Sequence, residues 1–98
     1  MQAFYAASFD RELGCTEREL LRWLPDAMGS HPYQRVAQAL IARIESGQLM
    51  LSWRVGEPRV IAQARTPRLL VSFRFTGLDD AERYRFMKRF DLYMQRGG

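Results

Sequence analysis

The sequence predicts a two-layer α+β domain: an antiparallel meander sheet of four to five strands with two helices, 16–25 and 79–95, packed on one face. Three observations lead there. Leu49, Leu51, Trp53 and Val55 alternate with Met50, Ser52 and Arg54, and Leu69, Val71, Phe73 and Phe75 alternate with Leu70, Ser72, Arg74 and Thr76; this is the period of half-buried strands. Leu20, Trp23 and Leu24, and later Phe86, Met87, Phe90, Tyr93 and Met94, each fall on one helical face. The strand-like runs follow one another across tight turns, which sets them side by side and antiparallel. A single helix is too narrow to cover such a sheet, so both are needed.

Phe4-Tyr5-Ala6-Ala7-Ser8-Phe9 is short, aromatic and followed by charge, and reads as the first strand. Thr16-Glu17-Arg18-Glu19 has the form of a capping box, a hydroxyl at the N-cap and a carboxylate three residues on, so a helix starts there. Pro25 lacks a backbone N–H and disfavours a helical Leu24, so the helix ends or kinks there; 26–32 reads as a loop. Residues 34–46 fit two patterns. As a helix, Val36, Leu40, Ile41 and Ile44 form a stripe capped by Gly47. As a strand, Leu40, Ala42 and Ile44 alternate and Ser46-Gly47 makes a two-residue turn. That turn pairs Ile44 with Leu49, Ala42 with Leu51 and Leu40 with Trp53, all apolar and on one face, which favours the hairpin. Beyond Gly56-Glu57-Pro58, residues 60–65 read as a shorter strand of the same sheet, and Thr66-Pro67 turns again. Asp79 and Asp80 cap the last helix.

Ninety-eight residues suit one domain, 1–98, able to bury a core without staples. Cys15 is the single cysteine and His31 the single histidine, so neither an internal disulfide nor a Cys/His zinc site is available. No apolar run approaches the roughly 20 residues of a membrane span. The first dozen residues include acid and lack a basic flank before an apolar stretch, unlike a secretory signal. A cytoplasmic protein without a membrane partner is the expectation.

For catalysis, a Cys15–His31 pair oriented by Asp26 is conceivable, but its spacing matches no nucleophile motif, and the glycines are scattered rather than gathered into a phosphate loop. No enzyme activity, cofactor or metal is expected. Charge is more informative. Residues 46–78 carry Arg54, Arg59, Arg65, Arg68 and Arg74 against Glu57 alone, +4 in all, which equals the net charge of the chain. With Trp53 and Phe73 turned inward, Ser52, Arg54, Ser72 and Arg74 turn outward, and Arg65 joins them from the strand expected between. Met50, Ile61 and Leu70 lie on the same side. Such a mixed apolar and cationic surface suits a protein partner or a homodimer. Phosphates, RNA or a nucleotide are the second expectation, although the face lacks the exposed aromatics on which bases stack.

The stretch VSFRFTGLDDAERYRFMKRF resembles the end of PilZ domains, which bind a cyclic dinucleotide; it covers about a fifth of the chain. Of the ligand motifs of that family, only the spacing of Arg18 and Arg22 is present, inside a predicted helix. The terminal Arg96-Gly97-Gly98 resembles the ends of ubiquitin-like proteins and sulfur carriers, and implies a carboxylate that becomes activated. In those proteins the tail leaves a strand, whereas here it leaves a predicted helix.

Overall fold

A computed structural model describes residues 4–97, with side chains to Gln95. β1 (Ser8–Leu13) leads to α1 (Glu17–Met28); then come β2 (Tyr33–Val36), β3 (Ala39–Ile44), β4 (Gly47–Val55), β5 (Arg59–Ile61), β6 (Ala64–Thr66), β7 (Leu69–Thr76) and α2 (Asp80–Gly97). The main sheet has five antiparallel strands in the order β1-β7-β4-β3-β2, and β5 and β6 pair only with each other. Both helices pack on one sheet face, the two-layer α+β arrangement expected. No helix among the described residues is long and apolar enough to cross a membrane.

The core sits between the layers. Leu40, Ala42, Ile44, Leu49, Leu51, Trp53, Leu69, Val71, Phe73 and Phe75 supply the sheet side; Leu20, Leu24, Ala27, Met28, Phe86, Met87, Phe90 and Met94 supply the helices. α1 starts as predicted: the Glu19 N–H donates to Thr16 Oγ1 (3.1 Å) and the Thr16 N–H to Glu19 Oε1 (2.9 Å). It does not stop at Pro25. Ala27 and Met28 extend the buried stripe by a turn, and that packing holds the helix to Gly29, whose N–H bonds the Pro25 carbonyl. Asp79 and Glu82 cap α2 in the same reciprocal way.

Residues 34–46 form strands, not a helix. The turn of the β3–β4 hairpin is Glu45-Ser46, and Ile44 faces Gly47, Ala42 faces Leu49 and Leu40 faces Leu51. The expected register was two residues away; a shift of two keeps every side chain on its face. Gly47 serves close approach rather than the turn: a Cβ there would lie 2.0 Å from the Thr76 carbonyl oxygen. The first strand also lies later than expected, over Ser8–Leu13, and Tyr5 enters the core from the segment before it.

The largest departure concerns residues 60–65. They are two three-residue strands, β5 and β6, turning at Ala62-Gln63, where Ala62 has φ +54°. Val55 pairs with Leu69 at the end of the sheet and Arg59 with Thr66 beyond it. Residues 56–68 are therefore an arm that prolongs the β4–β7 ribbon out of the sheet. The neighbour of β4 inside the sheet is β7, and β7 takes β1 on its other side.

Candidate functional site

Strand alternation leaves the sheet face opposite the helices open. Its rows follow from the register: Glu12, Leu70 and Arg54; then Asp10, Ser72, Ser52, Ala39 and Val36; then Ser8, Arg74, Met50, Ile41 and Gln34; then Thr76, Gln48 and Arg43. Ile41 and Met50 are 47% and 44% exposed and Val36 77%, so no described element covers them. Ser52, Ser72 and Leu70 are half-buried between longer neighbours.

Of the residues expected to form the site, Ser52, Ser72, Met50, Leu70, Arg54 and Arg74 do share this face. Arg65 and Ile61 do not: both stand on the arm, and Ile61 is 67% exposed. Three arginines on adjacent strands is thus not the arrangement found. Nor is acid scarce. β1 brings Asp10 and Glu12 to the face because it pairs with β7. Arg74 forms an ion pair with Asp10 Oδ1 (3.2 Å) and donates to the carbonyls of Phe73 (2.9 Å) and Phe9 (3.2 Å). The Ser72 hydroxyl and then the Arg74 guanidinium hold the Asp10 carboxyl below its usual range. Glu12 takes Arg59 (3.0 Å) and Arg68 (3.3 Å), which ties the root of the arm to β1. Among the described residues, Arg43 and Arg54 make no ion pair.

A cleft of about 400 Å³ runs over β1, β7 and β4, lined by Asp10, Glu12, Ser52, Arg54, Leu70 and Ser72. Its walls carry both signs of charge around small hydroxyls, which suits polar side chains of a partner better than a bare polyanion. Sequence reasoning missed Asp10, Glu12 and Val36 as members of the face; the expected β3–β4 hairpin already turned Ile41 and Arg43 to the outward side with Met50 and Ser52. The alternation of Ser8, Asp10 and Glu12 with Phe9, Arg11 and Leu13 was a signal for β1, obscured because Arg11 sits on the core side. There its guanidinium lies over the rings of Phe9 and Phe73 and meets Asp91 at 2.6 Å.

Cys15 and His31 occupy different settings. Cys15 lines a cavity of about 140 Å³ with Leu13, Trp23 and Met94, and burial, then the Glu19 charge, pushes its thiol up to about 11. The His31 ring tilts against Phe86, 5.8 Å between centroids. No hydrogen bond joins the two among the described residues. At the other terminus, Gly97 closes α2, while Gly98 and the Arg96 side chain lie outside the described residues. Arg18 and Arg22, the pair with the spacing of a loop motif, stand within α1. Comparison of the chain with protein-family models, with curated proteins and with solved structures gives no match.

Proposed function

We propose that the protein is a binding domain that works through its open sheet face, with another copy of itself as the preferred partner. The observation that carries this reading is the uncovered cluster of Val36, Ile41 and Met50, rimmed by Arg43, Arg54 and Asp10. An apolar centre with a polar rim is the anatomy of a protein interface. The rim carries charges of both signs, so two such faces can meet without net repulsion. Met50→Asp puts a carboxylate at the centre of the cluster without touching the core. Light scattering across a concentration series is expected to show a dimer for the unchanged protein and a monomer for Met50→Asp, with the dimer persisting in high salt. A monomer at every concentration would sink the homodimer.

A second reading, an anionic ligand such as RNA or a nucleotide, rests on Arg54, which lines the cleft without an ion pair. Asp10 and Glu12 on the same wall oppose it. Binding of a labelled oligonucleotide that fades steeply with salt and is lost in Arg54→Ala would favour this reading over the first.

A further inference from the structure

None of the residues of the arm 56–68 belongs to the core. Every residue from 57 to 67 is exposed, and Val60 and Ile61 are 56% and 67% exposed. An isolated two-stranded hairpin is marginal in water at best, and strands of three residues make it weaker still. Yet its root is fixed: Glu12 holds Arg59 and Arg68, and Pro58 and Pro67 flank the paired residues. A pre-set projection that carries apolar side chains into solvent is built to lie against something outside the subunit.

We propose that this arm is the clasp of a homodimer, each copy's arm lying across the open sheet face of the other. The inference rests on the self-association reading above and adds the element that completes it. Geometry supports a second copy as the occupant. From Gly56 to Ala62 the arm reaches about 20 Å at ~3.3 Å per residue, and a five-stranded sheet is also about 20 Å wide at ~4.8 Å per spacing. A face of about 20 by 20 Å offers roughly half of the ~800 Å² per partner that a stable dimer buries. Two reciprocal arms supply the remainder in a closed two-fold arrangement. The register also selects the side of the arm. Arg59, Ile61, Ala64 and Thr66 share one side, Val60 and Arg65 the other. Arg59 meets Glu12 of the open face, so the side with Ile61 and Ala64 prolongs that face toward the partner. Ile61 and Ala64 of one copy then cover Ile41 and Met50 of the other.

The test compares the two sides of the arm. Ile61→Asp is expected to weaken dimerisation at least about tenfold by analytical ultracentrifugation, and Val60→Asp to leave it within about twofold. Mixing Ile61→Cys with Met50→Cys under mild oxidation is expected to give a disulfide between the two species, with far less product from either alone; the latter also controls for buried Cys15. Ile61 and Met50 are exposed, so neither change removes core packing. A dimer that Met50→Asp dissociates but Ile61→Asp does not, or that gives no mixed disulfide, overturns the arm and leaves the sheet-face reading standing. A dimer that Ile61→Asp dissociates but Met50→Asp does not overturns the crossing onto the face. An unchanged protein that stays monomeric overturns both readings.

Discussion

Asp91 is where single residues tie the amino-terminal segment to the last helix. Its carboxylate accepts from the Tyr5 hydroxyl (2.7 Å) and from Arg11 (2.6 Å), while Arg83 donates to the Tyr5 carbonyl (2.8 Å) and the Leu78 carbonyl (2.7 Å) and pairs with Asp80. Tyr5 is 2% exposed. Burial, then the hydrogen bond to Asp91, pushes its hydroxyl up from 10.0 to about 12. A folded state that keeps this proton more tightly than the unfolded chain loses stability as pH rises. The Tyr5 contribution is complete below pH 10 and disappears between pH 10 and about 12. Tyr5→Phe is therefore expected to cost about 1–2 kcal/mol at neutral pH, since one oxygen of the half-buried Asp91 loses its donor. The variant should also show a shallower fall in stability over the alkaline range than the unchanged protein. Urea denaturation at pH 7 and at pH 11 measures both; equal slopes would mean that Tyr5 titrates normally. Glu17 gives the acidic counterpart. Hydrogen bonds from Trp53 Nε1 (2.7 Å) and then from Gln38 (3.1 Å) hold its carboxyl below the usual range. The stabilisation it provides is present above the ordinary glutamate value of about 4.3 and fades as pH falls through the lowered one. Trp53 fluorescence should change over that window and cease to do so in Glu17→Gln.

At the scale of elements, backbone turns decide where strands begin. Gly47 opens β4 with its α-carbon against the β7–α2 junction. An added Cβ would meet the Thr76 carbonyl at 2.0 Å and the Gly77 carbonyl carbon at 2.7 Å, both backbone. Gly47→Ala is expected to cost about 1–3 kcal/mol or more, because the hairpin must move away from that junction. Gly14→Ala, whose nearest neighbour would be 3.8 Å away, is the control that should stay near neutral in the same urea titration. Three other turns place a side-chain-bearing residue at positive φ: Ala37 (+54°), Glu45 (+48°) and Ala62 (+54°). These explain what the sequence could and could not reveal. The helices were legible because Thr16-Glu19 and the apolar stripes are strong local signals. β4 and β7 were legible from clean alternation. The Ala62-Gln63 turn was not, since neither residue is one that turns favour, and 60–65 consequently read as one strand. The position of β1 was hidden by Arg11, a charged residue on the core side whose compensation by Asp91 lies 80 residues away. With β1 misplaced, the acid on the open face was invisible and the charge on the face read as basic alone.

For the whole molecule, the question is how charge and apolar area share one surface. The excess of +4 in residues 46–78 looked like a cationic face, but the fold disperses it. Arg59 and Arg68 are drawn to Glu12, Arg74 is turned to Asp10, and Arg65 is carried out on the arm. What remains on the face beside the apolar cluster is Arg54, together with Arg43 from β3. Long-range attraction for a polyanion should then be weak, and association through the face should depend on apolar burial more than on ionic strength. If the protein self-associates as proposed, raising salt from 0.05 to 0.5 M is accordingly expected to change the dimerisation constant by no more than about threefold, whereas a phosphate-binding surface using several arginines would lose orders of magnitude. Sedimentation equilibrium at both salt concentrations measures this directly. The double change Arg43→Ala with Arg54→Ala separates the remaining contributions. If the arginines only rim the interface, the pair should slow association while leaving dissociation of the formed dimer nearly unchanged. A large rise in the dissociation rate would instead place one of these guanidinium groups in the buried centre, opposite a carboxylate of the other copy.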